Sequence, residues 1–357
     1  LIANHPNPRE IYLKRLIDLG KTVAICEQDD NVITEKGLVD RKVVRIVTSG
    51  TLCDEGLINE KKQIWLCSLS ISGVLSWIDV TTGELFWFSQ NELDNKKKFS
   101  YEQIFTIISK LDIGEILVSE RIQDLKFKTQ KEYLENILFY LKEIVSEKKI
   151  IFRPDWEFDA NVGKSLLQKR LNITFLNALE LSNNFSALES IGSLITYAEK
   201  NIGKPLLHLR LPQKFFQSET VIIDASAQKA LELKKPLFDE DKKNITLIAC
   251  LDQCKTSGGS RELRKWMLSP LISNKDLKKR QKSIIWISKN IFLHQVLTGV
   301  IDICRIAGRI SLGNTSPREL NTLALNLKKM VEISQSIEDI EDYNIKKIYK
   351  NFSDSES

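Results

Sequence analysis

Residues 246–271 read TLIACLDQCKTSGGSRELRKWMLSPL, and this stretch decides the fold. Thr246 is placed to cap a short helix carrying Leu247, Ile248, Cys250 and Leu251. Ser257, Gly258 and Gly259 break the pattern, and Ser257 or Ser260 can cap the next helix. Leu263, Trp266, Met267 and Leu268 then fall on one helical face, with Arg261, Glu262, Arg264 and Lys265 largely off it. Ser269-Pro270 ends the helix, because a residue before proline is pushed out of the α region. The pattern predicts two helices meeting at a packed corner inside a helical domain, with Trp266 buried there.

Working outward toward the N-terminus, EIYLKRLIDL (10–19) predicts an amphipathic helix. Its core face is Ile11, Leu13, Leu16, Ile17 and Leu19, and Gly20 is its stop. Lys21 to Glu27 reads as a short strand, Gln28 to Lys36 as a polar loop, and Val43 to Thr48 as a β-branched strand flanked by Arg41, Lys42 and Arg45. Cys53 to Lys62 is a charged joint. Gln63 to Ser89 alternates apolar and polar residues with Gly73 and Gly83 at turns, which predicts a two- or three-stranded antiparallel ribbon. Helices over 101–111 and 132–145 alternate with strands over 115–119 and 149–152, implying a mixed sheet with helices against it. A long helix over 185–200 turns Leu188, Ile191, Leu194, Ile195 and Ala198 inward, and Gly203-Lys204-Pro205 marks a boundary.

Toward the C-terminus, Leu206 to Leu211 and Val221 to Ile223 read as strands. From Asp224 the chain reads as nearly all helix. Asp224 caps ASAQKALELKK, which Pro236 ends; Ser273 or Asn274 caps a basic helix to Ser288; Pro317 opens a last helix. The stripe of that last helix is Leu320, Leu323, Leu327, Met330 and Ile337.

Composition bounds the function classes. The 357 residues, 42% hydrophobic and 28% charged, fit a globular chain of two or three domains. A net charge of +5 permits a polyanionic partner without requiring one. Six scattered cysteines form no C-x-x-C pair and three histidines lie far apart, so no zinc site, Cys-His pair or Ser-His-Asp set is predicted. This thiol usage fits a reducing cytoplasm. No apolar run approaches the roughly 18 residues of a membrane span. Val162-Gly163-Lys164-Ser165 contains a GKS triplet, but Phe158 stands where a P-loop has its first glycine, and the triplet reads as the start of a helix. Asp79, Glu84, Asp112 and Glu115 form no recognisable two-metal set. Arg261 to Lys282 carries eight basic and two acidic residues, and such a run is ordinarily a solvated helix face. Alternation places Arg41 and Arg45 on one face of their strand, where they either protect a sheet edge or touch phosphate.

Two sets of residues resemble one family. Leu251, Asp252, Thr256, Gly259, Arg261, Leu263, Trp266, Pro270 and Leu271 resemble the start of the core (lever) domain of MutS-type DNA mismatch repair proteins, with Gly258 where methionine is usual. Tyr12, Leu13, Leu16, Gly20, Val23 to Gln28 and Arg41 to Thr51 resemble the end of the mismatch-binding domain. Ala3 to Asn7, Asp29 to Asn31 and Ser49 depart from that pattern. Trp156-Glu157-Phe158 resembles a W-E-F of the family's connector, and Ile301 to Ile310 resembles D-L-E-R-I-x-x-R-L with Cys304 in place of glutamate.

The resemblance implies an α/β and mainly-α multidomain chain, an RNase H-like mixed-sheet connector followed by a helical core. The expected organisation is the end of the mismatch-binding domain over 1–53, a linker over 54–62, the connector over 63–204 and the start of the core domain over 205–357. The implied function is part of a protein that recognises mispaired bases in duplex DNA and signals repair through a distant ATPase domain. Arg41, Gln28 and Arg45 are the implied DNA-contacting residues, with no catalytic, nucleotide or metal site in this chain. ATP and magnesium, a homodimer and a MutL-type partner are implied for the full-length family. The chain reads as a piece of such a protein. Two other readings stay open, a non-catalytic interaction scaffold and an RNase H-like metal-dependent nuclease.

Overall fold

The structure, a computed structural model, describes residues 8–33, 39–89, 101–123, 131–182, 184–216, 219–234, 236, 246–289 and 295–336. Helix α1 (Pro8–Asp18) precedes an antiparallel ribbon of β1 (Val23–Ile33) and β2 (Val39–Val47). Gly20, at φ 72°, stops α1. Only Leu13 and Ile17 of its expected face are buried; Ile11, Leu16 and Leu19 are exposed. Strand β1 runs through Gln28 to Ile33, correcting the loop expected there. The ladder with β2 continues past that point, with Glu27 across from Lys42, Gln28 across from Arg41 and, after a register shift, Ile33 across from Val39. Residues 34–36 of that loop lie outside the described residues.

A six-stranded sheet comes next, in the order β7-β6-β3-β4-β5-β8. Strands β3 (Trp65–Leu69), β4 (Leu75–Asp79) and β5 (Glu84–Phe88) form the expected antiparallel meander. Gly73 and Gly83 turn it at φ 80° and 72°. Strands β6 (Ile113–Ser119) and β7 (Ile150–Arg153) add in parallel on one side, and β8 (Gln213–Lys214) adds in parallel to β5 on the other. Helices α2 (Tyr101–Lys110) and α3 (Lys131–Ile144) cover one face, where Trp65, Cys67, Leu75 and Trp77 meet Ile104, Ile108 and Leu141. Helices α4 (Ala160–Leu171) and α5 (Phe185–Ile202) cover the other, where Leu66, Ile78 and Trp87 meet Leu188, Ile191 and Ile195. Burial from both sides is why β3 and β4 have no solvent face. Two hydroxyl pairs seat α5: Ser68 with Ser193 at 2.7 Å, and Ser76 with Ser190 at 2.6 Å.

The chain divides into two compact units. One comprises Leu1–Asn59, Gln63–Phe215 and Ala307–Asn314; the other comprises Glu60–Lys62, Phe216–Ile306 and Thr315–Ser357. In the second unit α6 (Ala225–Ala230), α7 (Leu247–Leu251), α8 (Ser257–Leu268) and α9 (Asn274–Lys289) are helical. Helix α10 (Ile303–Ser311) passes from it into the first, and α11 (Pro317–Ser336) belongs to the second again. Asp224 and Thr246 cap α6 and α7 as expected, accepting from the amides of Ala227 and Ala249.

Several expectations are corrected here. Leu206 to Leu211 and Val221 to Ile223 form no strand; Leu206 and Leu209 are buried instead. Helix α6 stops at Ala230, well before Pro236, because Glu232 takes a left-handed φ of 46°. The cap of α8 is Thr256, whose Oγ1 accepts from the Gly259 amide at 3.1 Å, so Ser257 to Gly259 are its first turn rather than a break. On α11, Leu320 and Leu327 are exposed while Glu319 and Asn326 are buried, and Ile337 lies outside the described residues.

Candidate nucleic-acid interface

The β1–β2 ribbon carries all three DNA-contacting candidates. Its register pairs Ile25 with Arg45, then Cys26 with Val43, so Val44 is an extra residue on β2. Such a bulge reverses the alternation beyond it. Arg41 shares the face of Cys26 and Val43, which are exposed; Arg45 shares the face of Ile25 and Val47, which are buried. The same-face expectation for Arg41 and Arg45 is therefore corrected. Arg41 is exposed, and the register sets Gln28 directly across from it. Arg45 Nη2 reaches Asp54 Oδ1 at 2.8 Å. A cleft of about 480 Å3 opens beside this inner face, but Glu10, Glu27 and Asp54 offset Arg45 and Lys204 there. Its mixed charge gives no preference for a polyanion.

The base of the ribbon is fixed to the sheet by a buried carboxylate. Thr48 Oγ1 donates to Glu115 Oε2 at 2.7 Å and Tyr197 donates to the same oxygen at 3.2 Å. Ser49 Oγ donates to the Gly114 carbonyl at 2.9 Å. A side chain at Gly114 would lie 2.6 Å from the Ser49 carbonyl oxygen, so glycine permits the approach. Burial raises the Glu115 carboxyl above its ordinary range against these hydrogen bonds, and the Tyr197 hydroxyl is pushed up by burial and by Glu115.

The order of these parts matches known sequences. Family models of MutS domain I, MutS domain II and MutS domain III match residues 6–56, 71–210 and 226–354. The chain belongs to the MutS family. It is similar to a protein named DNA mismatch repair protein MutS from Alkaliphilus oremlandii (strain OhILAs), with 28% identity over 348 residues. That match covers 95% of this chain and 38% of the relative's length.

The other sequence candidates take different places in this MutS chain. The GKS triplet lies in the first turns of α4, where Asp159 accepts from the amides of Asn161 and Val162 at 2.7 and 3.0 Å. A carboxylate thus occupies the helix terminus that would hold phosphate, and Gly163 is pressed on α5. The triplet does not fit a nucleotide. Asp79 accepts from Thr81, Glu84 from Gln63, and Glu115 from Thr48 and Tyr197. Among the described residues no group of three or more His, Cys, Asp or Glu could hold a metal ion. His208 Nε2 bonds the Val80 carbonyl at 2.8 Å, and burial lowers its pKa.

Trp266 is not buried at the corner. It is half-exposed, its indole nitrogen donates to Glu262 at 2.6 Å, and the Arg280 guanidinium stacks 3.7 Å above its ring. Leu268, with Ile248 and Leu233, forms the small core instead. The basic helix α9 has no buried residue among those described. Sequence reasoning missed the Asp54 partner, the bulge and the Glu115 anchor. None had a local signal, since the bulge carries no glycine and Thr48 and Glu115 are 67 positions apart.

Proposed function

We propose that this chain contributes the backbone-contacting and force-transmitting part of a protein that recognises mispaired bases in duplex DNA. The observation that carries the reading is the register of the ribbon, which sets exposed Arg41 on the outer face across from Gln28. A guanidinium there suits contact with phosphate, which fixes position without reading sequence. Arg45 acts within the fold through Asp54, so the ribbon offers Arg41 and its neighbour Gln28 to DNA. The anchor at Glu115 holds the ribbon's base on the sheet, which makes the ribbon a stiff arm. In the whole protein, ATP and magnesium bound in another domain, a second copy and a MutL-type partner complete the signal. The test is charge reversal: Arg41→Glu should weaken duplex binding by about tenfold or more. Unchanged affinity in a folded variant removes the ribbon from the interface.

A further inference from the structure

Three successive residues of the expected linker are each held by side chains of the helical unit. Arg261 Nη1 donates to the Glu60 carbonyl at 2.8 Å. The Lys61 ammonium stands 3.8 Å from Asp252. Arg305 Nη2 donates to the Lys62 carbonyl at 2.6 Å. One carboxylate organises both arginines: Asp302 bonds Arg261 Nη1 and lies 3.8 Å from Arg305 Nε. Asp252 is itself fixed by Ser260 Oγ at 2.9 Å and the Cys254 amide at 3.2 Å.

The arginine groups are out of water, with side-chain exposures of 11% for Arg261, 8% for Asp302 and 2% for Arg305. Guanidinium groups held this dry are costly unless geometry and partners are good. A loop carbonyl ordinarily bonds water, and here two in three residues receive an arginine instead. The division of the chain agrees, since Glu60–Lys62 belongs with the helical unit while Asn59 and Gln63 belong with the other.

We infer that Glu60–Lys62 is a strap seized by the helical unit, with Arg261 and Arg305 as its positioning residues. The strap passes displacement to the rest of the chain by covalent continuity. From Lys62 to Trp65, where β3 begins, the chain can extend only roughly 10 Å. The same length separates Leu57, buried against α1 and the ribbon, from Glu60. This deepens the proposed function by naming a connection through which movement in the helical unit reaches the ribbon, and it rests on that reading only for its purpose.

Trypsin reads the strap directly, because it cleaves after Lys61 and Lys62. In the full chain, the pair Arg261→Met and Arg305→Met keeps length and packing but removes the donors. Cleavage at these two bonds, located by mass spectrometry, should quicken by about tenfold or more, the factor for losing one charge-assisted hydrogen bond. Amides of α8 should keep their exchange protection. The pair Arg261→Lys and Arg305→Lys retains donors and should stay within about threefold of the parent. Equal rates for the methionine and lysine pairs would mean the arginines only pack, and unchanged cleavage in the methionine pair would mean the strap is not held; either overturns the inference. Should the methionine pair not fold, Asp252→Asn, which removes the negative charge facing Lys61 and keeps an oxygen to accept from Ser260 and the Cys254 amide, should quicken cleavage after Lys61, and no change there overturns it as well. DNA affinity plays no part in these readouts, so their failure is separate from failure at Arg41.

Discussion

Arg45 Nη2 lies 2.8 Å from Asp54 Oδ1, on the face of the ribbon that is packed inward. The bulge at Val44 makes this pairing possible by turning Arg45 away from the face of Arg41. A cation that looks like a phosphate contact in the sequence is thereby a fastening of the fold. Arg45→Ala and Asp54→Ala should each lower stability by about 1 kcal/mol, given that both side chains are about one quarter exposed. The double variant should cost less than the sum. Urea unfolding of the four proteins checks this; strict additivity would mean the pair contributes nothing.

Glu115 makes stability depend on pH in a stated direction. Burial raises its folded pKa above the ordinary 4.5, so the folded state holds the proton more tightly than the unfolded chain does. Its contribution is fully present below 4.5 and is lost as pH rises through the folded value. Glu115→Gln has no such proton, and its stability relative to the parent should increase across that window. Unfolding of both proteins from pH 4 to 8, compared as a difference, is the measurement. A difference that shrinks with rising pH would mean the carboxylate is held charged.

The GKS triplet gives a pair of opposite expectations. A methyl group at Gly163 would lie 2.1 Å from the Leu188 carbonyl oxygen and 3.2 Å from the Cα of Gly192. Gly163→Ala should therefore cost about 2 kcal/mol or more by separating α4 from α5. Lys164→Ala, on the exposed side, should be within about 0.5 kcal/mol of the parent. A phosphate-binding loop would make Lys164 the sensitive position for nucleotide binding. Thermal unfolding with and without nucleotide separates the two.

Trp266→Ala should cost about 1 kcal/mol, as for a cation–π contact and one exposed hydrogen bond, rather than the roughly 3 to 5 kcal/mol of an emptied aromatic core site. Leu268→Ala, emptying a position that is 4% exposed, should cost more, about 2 kcal/mol or above. Chemical unfolding of both variants ranks them, and the reverse ranking would place the corner's core on the indole.

What was legible in the sequence was whatever local chemistry announces. Asp224 and Thr246 cap their helices, Gly73 and Gly83 turn the meander, and the inward stripe of α5 from Leu188 to Ala198 is buried as its spacing indicates. What was not legible depends on partners distant in sequence. The length of β1 through Asp29 and Asp30 rests on its ladder with β2, which resumes where Ile33 stands across from Val39, and the edge position of β8 rests on Trp87, whose carbonyl accepts from Phe215 at 2.8 Å. Trp266 carried a motif and a helical spacing, yet neither states which side of a small helical unit is covered. At the candidate interface, Arg41 and Arg45 look alike in sequence, and only the register separates them.

The measurement that bears most directly on the central claim is a salt titration of duplex binding by the chain and by Arg41→Ala. If Arg41 neutralises a phosphate, the parent's slope of log affinity against log salt should exceed the variant's by about 0.9. The affinity of the variant should be uniformly lower on matched and mismatched duplexes, because phosphate contact reads no base. Identical slopes for the two proteins, each folded and each binding, would contradict the account.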